Sequence, residues 1–237
     1  MTRLSVNINK YALVRNSRGG NHPNILQIAK DCEKFGAEGI TIHPRQDERH
    51  IRYDDVRPLQ EVVTTEFNIE GYPDKRFMEM VLDVKPHQCT LVPDASNQLT
   101  SDHGWDTIRE KEFLIEVIGR LKEKGIRVSI FLDPLEELVH GAKAVGTDRI
   151  ELYTGPFAEE FYHDKEKAIE PHIKAAKLAN ELGLGINAGH DLNLDNLKYY
   201  KNHVKNLAEV SIGHAIICDA IYFGLEETIK KYLNELK

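Results

Sequence analysis

Two periodicities alternate along the chain. Short runs rich in Val, Ile, Leu and Phe, with apolar residues at every second position, recur at Leu4 to Asn9, Gly39 to Ile42, Glu66 to Glu70, His87 to Val92, Arg127 to Leu132, Arg149 to Tyr153, Gly185 to Ala188 and Glu209 to Ile212. This spacing predicts strands. Between them the apolar residues move to helical spacing, first at Ile25, Ile28, Ala29, Cys32 and Phe35 behind Pro23, which suits a first helical turn. Further helices are expected at Asp54 to Val63, Asp74 to Leu82, Thr107 to Lys124, Pro134 to Gly146, Lys165 to Leu182 and Leu192 to Val204, with two final pieces separated by Gly224. Eight strand-then-helix units with right-handed crossovers close into an α/β fold, the (β/α)8 TIM barrel. The 237 residues suit one barrel domain spanning 1–237. A doubly wound open sheet would usually carry a G-x-G-x-x-G turn after its first strand. Gly19-Gly20 lack that spacing and lie about ten residues too late.

Strand parity gives the inward set. Asn7 and Asn9, Thr41 and His43, Asn68 and Glu70, Ser129 and Asp133, Glu151 and Tyr153, then Asn187 and Ser211, fall on one side of their strands. Barrel interiors usually hold Val, Ile and Leu. A polar interior on this scale needs partners, because each buried polar group left unpaired costs about 1 to 3 kcal/mol. A polar ligand at the barrel mouth is the expected partner.

Chemistry gathers at the strand ends, where barrels of this kind bind ligands. The stretch Thr41-Ile42-His43-Pro44-Arg45-Gln46-Asp47-Glu48-Arg49-His50 turns from a buried strand into a cluster of charge. Glu70 ends the third strand, where partial burial would raise its pKa and suit it to act as a general base. His190 follows the seventh strand on a glycine turn. Gly213-His214 opens a helix after the eighth, a favoured phosphate position. Arg45, Arg49 and His50 form a second candidate anion site, which Arg18 on its glycine loop could also reach. Arg49, with Asp47 and Glu48, is expected to shape the loop rather than touch substrate.

Overall composition narrows the function. Lys and Arg total 31 against 38 Asp and Glu, for a net charge of -7, which argues against a nucleic-acid surface. Local basic clusters therefore point to an anionic small molecule. No apolar run approaches the ~18 residues of a membrane span. Met1 to Val6 enters a strand without an apolar leader, so a cytoplasmic protein is expected. Cys32, Cys89 and Cys218 are far apart and fit neither a disulfide framework nor a zinc site.

Six motifs in order, V-N-I-N-K at Val6 to Lys10, R-N-S-R-G at Arg15 to Gly19, G-I-T-I-H-P-R-Q-D-E-R-H at Gly39 to His50, F-N-I-E at Phe67 to Glu70, N-A-G-H-D-L at Asn187 to Leu192 and S-I-G-H-A-I-I at Ser211 to Ile217, carry a resemblance to the pyridoxine 5'-phosphate synthases. The resemblance covers Leu4 to about Leu236. It implies a TIM barrel with a few extra helices, one near Asn97 to Asp106, and a homo-oligomer, commonly an octamer. It implies a cofactor-free condensation of 1-deoxy-D-xylulose 5-phosphate with 3-amino-2-oxopropyl phosphate, giving pyridoxine 5'-phosphate, phosphate and water.

Carried onto this chain, the resemblance makes His43 and Glu70 general bases, His190 a general acid and Glu151 a transition-state stabiliser. Asn7, Arg18, Gly213 and His214 would bind the amino-ketone phosphate. Arg45, His50 and Thr100 would bind the sugar phosphate, together with Asn9 and Lys10, where several members have Asp-His. Asp191 replaces a Gly found in others, so only its backbone contact carries over. Pro44 stands where several have Leu. Other readings of the same residues are a metal-dependent sugar-phosphate epimerase or lyase using His43, Glu70 and His190, and a non-catalytic phosphometabolite binder. A Schiff-base aldolase would have only Lys10, just beyond the first strand, as an inward lysine.

Overall fold

A computed structural model describes residues 1–94 and 101–237. Its strands are β1 (Arg3–Asn7), β2 (Gly39–Ile42), β3 (Glu66–Gly71), β4 (Gln88–Leu91), β5 (Arg127–Leu132), β6 (Arg149–Leu152), β7 (Gly185–Gly189) and β8 (Leu207–Ile212). All pair in parallel and in chain order, and β8 returns to β1 to close the barrel. The ring of helices comprises α1 (Asn9–Asn16), α2 (Ile25–Lys34), α3 (Tyr53–Val62), α4 (Lys75–Val84), α5 (Lys111–Lys122), α6 (Glu136–Val145), α7 (Gly155–Glu160), α8 (Lys165–Glu181), α9 (Leu197–His203), α10 (His214–Phe223) and α11 (Leu225–Glu235). The extra helices are α1, α7 and α10, each placed directly after a strand.

Local chemistry explains where elements depart from the sequence pattern. The first strand stops at Asn7 rather than Asn9, because Asn7 Oδ1 accepts the Asn9 N–H at 3.1 Å and the chain turns into α1. Pro23 precedes a helix that begins at Ile25, since Asn24 caps it by accepting from the N–H groups of Leu26 and Gln27. Asp106 Oδ1 accepts from Ile108 and Arg109 N–H, making a separate turn that delays α5 to Lys111. Asn193 and Asn196 bond each other's backbone N–H groups, which delays α9 to Leu197.

The apolar core lies outside the barrel, between sheet and helices. Leu4, Val6, Ile40, Ile42, Ile69, Leu91, Val128, Ile130, Ile150, Leu152, Val210 and Ile212 all face outward and are fully buried there. Each such side chain contributes about 1.5 to 3 kcal/mol. The alternate positions face inward and are mostly polar, with Phe131 near the mouth an exception.

These inward groups bond largely to one another, so a ligand is not required to satisfy most of them. In the middle, Ser5 meets Thr41 at 2.7 Å, Asn68 donates to Thr41 at 3.3 Å, and Thr90 donates to Asn68 at 3.1 Å. Towards the strand N-termini, Arg3 bridges Glu66 at 2.6 Å and Glu209 at 3.1 Å. Arg127 also pairs with Glu66 and donates to Gln88 at 3.0 Å, and Arg149 donates to Asn187 at 3.2 Å. Gln88 Nε2 near the floor and Ser129 Oγ in the middle are buried without a hydrogen-bond partner among the described residues, and the same holds near the mouth. Glu151 Oε2 and Ser211 Oγ are buried without a hydrogen-bond partner among the described residues.

Gly189 leaves no room for a side chain. A Cβ on Gly189, at the end of β7, would lie 2.0 Å from the Ser211 carbonyl oxygen. Gly189→Ala is therefore expected to cost at least about 2 kcal/mol, read as a lower denaturant midpoint; an unchanged midpoint contradicts the packing described.

The barrel floor makes stability pH-dependent. Burial, reinforced by Glu66, pushes the Glu209 carboxyl up to about 8 despite Arg3 and Arg149. Because the folded protein holds this proton more tightly than the unfolded chain, the stability from that proton is present in acid and lost as pH rises through about 8. Wild type should lose thermal stability relative to Glu209→Gln as pH rises from 5 to 8. Parallel Tm curves for the two proteins would contradict this.

Candidate active site

A cavity of about 240 Å³ opens at the C-terminal mouth of the barrel. It is assembled from the ends of β1, β2, β3, β6 and β7 and the start of α10. All four side chains expected to do chemistry, His43, Glu70, Glu151 and His190, line it. So do Asn7, Asn9, Lys10, Arg45, His50, Gly213 and His214. Arg18 sits exposed on the turn after α1 and is not among the lining residues, and Asp191 lies just behind His190 rather than on the wall. Thr100 and part of the segment expected as an extra helix near Asn97 to Asp106 fall outside the described residues.

A backbone relay fixes the geometry between the first two strands. Asn9 Oδ1 accepts the His43 N–H at 2.8 Å, while Asn7 donates through Nδ2 to Glu70 Oε2 at 3.4 Å. One dipeptide step in β1 thus orients both the second and third strand ends. Gly213 must approach this relay closely, since a Cβ there would lie 2.9 Å from the Asn7 carbonyl oxygen.

The charged loop from Arg45 to His50 is held from below by α1. Arg15 is buried and makes a two-pronged ion pair with Asp55 at 2.8 Å, and its Nη2 also donates to the His50 carbonyl at 3.2 Å. Asn16 donates to the carbonyls of Arg49 and His50 at 3.0 and 2.7 Å. Arg45 pairs with buried Asp94, which also accepts from Ser101 Oγ at 2.8 Å. Arg49 combines two tasks: its N–H bonds Asp47, as expected of a loop-shaping residue, yet its side chain lines the cavity. Ser101, Phe131, Val92 and Leu13 also line the cavity. Parity alone could have revealed Phe131, two residues beyond Ser129. The others come from loops or from α1 and carry no sequence signal.

The electrostatics separate the titratable groups. Burial, then Arg45, His190 and Arg49, hold His43 well below the usual histidine range, so its ring is neutral and able to accept a proton. Burial, His43 and the nearby cations push His50 down to about 3. Its Nδ1 accepts the Ile51 N–H at 3.0 Å, which places the ring proton on Nε2. Burial, then Glu151, Asp94 and Glu209, push Glu70 well above the carboxylate range. Burial pushes Glu151 up to about 7, with His190 opposing. His190 goes the other way: burial disfavours its charge, but Asp191, Glu151 and Asp94 outweigh burial and raise its pKa.

Two elements able to hold anions flank β1. On the β2 side stand Lys10, Arg45, Arg49 and the Nε2 donor of His50. On the β8 side Gly213 and His214 present the N-terminus of α10. Among the described residues, no three His, Cys, Asp or Glu side chains are grouped to hold a metal ion. None of the helices described is long and apolar enough to cross a membrane.

Solved structures share the fold at low sequence identity. Phosphoribosylanthranilate isomerase from Thermotoga maritima matches with a TM-score of 0.63 and 14% identity, covering 100% of this chain and 98% of its own. That from Thermococcus kodakaraensis gives 0.65 and 13%, covering 100% and 99%. Sequence relatives are far nearer. Pyridoxine 5'-phosphate synthase of Cytophaga hutchinsonii is 61% identical over 237 residues, and that of Christiangramia forsetii 59%, each match covering 100% of both chains. The family model described as "Pyridoxal phosphate biosynthesis protein PdxJ" matches residues 4–237. With the site motifs assembled around one cavity and this match along nearly its whole length, the chain belongs to the PdxJ family of pyridoxine 5'-phosphate synthases.

Proposed function

We propose that this chain joins 1-deoxy-D-xylulose 5-phosphate to 3-amino-2-oxopropyl phosphate by general acid/base catalysis within the mouth cavity, without a cofactor. The observation that carries this reading is the pairing of buried carboxyls, Glu70 and Glu151, with two anion-holding elements on either side of β1. Two phosphorylated substrates need two such elements. In this reading, Arg45, His50, Asn9 and Lys10 hold the sugar phosphate, with Thr100 assigned to the same group by family resemblance. Asn7 and the Gly213-His214 turn hold the amino-ketone phosphate. Arg18 would join them only by movement of its exposed turn.

The proton inventory fits the reaction. The amine must lose a proton to attack the ketone, water and phosphate must leave, and a C–H proton must be removed before ring closure. Burial and the neighbouring acidic groups oppose charge on Glu70 and favour its protonated form. An entering substrate ammonium favours the carboxylate form and supplies the proton to be removed. His43, neutral, is the second base. His190, favoured as imidazolium, protonates a departing oxygen, and Glu151 stabilises the positive charge that develops.

The protein is further proposed to work in the cytoplasm as a one-domain barrel within a homo-octamer. Exposed Leu13 and Val14 on α1, together with Ile221, Tyr222 and Phe223 on α10, supply apolar surface for the contacts between copies. Sedimentation should report an assembly larger than a monomer, and Ile221→Asp with Tyr222→Asp should reduce its mass; a monomeric wild type would exclude the octamer.

Mixing the protein with both substrates, with and without a chelator, should yield pyridoxine 5'-phosphate by absorbance in both cases. Binding without product would favour a non-catalytic binder. Glu70→Gln should retain substrate binding while losing about 10²- to 10⁴-fold in turnover. Unchanged turnover in that variant would remove Glu70 from the role of base.

A further inference from the structure

The turn that carries His190 is built more firmly than exposure of one ring requires. His190 itself adopts a left-handed backbone, with φ of 60°, uncommon for a residue other than glycine. Its N–H donates to the Ser211 carbonyl at 3.0 Å, tying the turn to β8. The next residue, Asp191, is pinned on three sides. Its N–H donates to the Gly189 carbonyl at 2.8 Å and approaches Thr154 Oγ1 at 3.3 Å, and its carbonyl accepts from Asn196 Nδ2 at 3.3 Å. Thr154 Oγ1 in turn donates to the Gly189 carbonyl. With the backbone held this way, the Asp191 carboxylate meets the His190 ring, Oδ2 lying 3.3 Å from Nδ1.

We propose that Asp191 is a positioning residue for the acid step: its carboxylate sets the plane of the His190 ring and keeps the proton on that ring until it is delivered to the leaving oxygen. The proposal rests on His190 being the acid. Asp191 does not line the cavity and so acts through His190.

Geometry divides the two ring nitrogens. Nδ1 is buried on the side of Asp191, while the part of the ring that remains exposed lies in the cavity wall. With the Asp191 carboxylate at ion-pair distance from Nδ1, a proton on Nδ1 is favoured and Nε2 is left as the nitrogen for proton transfer, while the negative charge behind the ring favours its protonated form. The other charged groups facing His190 come from separate elements. Glu151 on β6 and Asp94 after β4 add to the effect of Asp191, and His43 after β2, itself held neutral, lies close enough for the two rings to influence each other. Removing Asp191 therefore weakens the hold on the proton without abolishing it.

The test separates Asp191 from His190. In the full-length protein labelled with ¹³C-histidine, the His190 resonance is assigned by its loss in His190→Gln and titrated in wild type, Asp191→Asn and Asp191→Glu. The expected result is a His190 midpoint that moves to lower pH in Asp191→Asn and returns towards wild type in Asp191→Glu. The alkaline limb of the kcat profile should move with it, the turnover lost on that limb being about tenfold for each unit by which the midpoint falls. A His190 midpoint that stays put in Asp191→Asn overturns the proposal. A midpoint that falls while the alkaline limb stays fixed overturns it differently: the two residues are coupled, but the acid is not His190.

Discussion

Three arginines, Arg3, Arg127 and Arg149, meet Glu66 and Glu209 inside the barrel, in the place where most barrels of this architecture stack Val, Ile and Leu. Burying charge costs free energy unless each group finds partners, and here Glu66 is shared by all three guanidinium groups while Glu209 pairs with Arg3. The consequence reaches the whole sheet. Because the interior is filled by directional bonds rather than by interchangeable apolar volume, strand register is specified from inside as well as outside. A slip of one residue would bring the outward Ile and Val into this network and expose its charges to the apolar layer beneath the helices.

The site is an extension of the same filling with its top layer left incomplete. In the middle of the barrel Ser5, Thr41, Asn68 and Thr90 bond one another, leaving Ser129 Oγ on β5 without a partner among the described residues. One step higher, Glu151 and Ser211 have buried oxygens with no partner among the described residues. The cations come from outside the barrel, on the loop after β2, and α1 anchors them there through Arg15 and Asn16. The carboxyls Glu70 and Glu151 therefore belong to the strands, and Arg45, Arg49 and His50 to a loop that a helix grips.

Much of this was legible in the residues. Period-two runs located all eight strands, and parity predicted an interior lined by Asn7, Thr41, Asn68, Glu70, Glu151 and Asn187. What parity could not reveal is which of these groups satisfy each other, since that depends on the shear of the closed barrel. It therefore overstated the need for a ligand. Helix α1 was missed because Asn9 and Lys10 look like a strand ending in a loop. R-N-S-R-G has a further role that its residues did not announce: Arg15 and Asn16 grip a loop about 35 residues away in sequence. Asp94 and Ser101 carry no periodic signal, and only the folded chain brings them to Arg45.

The His50 ring ends as a contact with a fixed polarity. With Nδ1 engaged by the Ile51 N–H, and with protonation pushed down to about 3, it stays a neutral donor through Nε2 across the range in which Glu151 and His190 change charge. As a donor it is thereby insulated from the protonation of the groups across the cavity. The loop after β2 presents a polar contact whose hydrogen-bonding sense stays constant while Glu151 and His190 change charge, so that two kinds of pH response share one cavity.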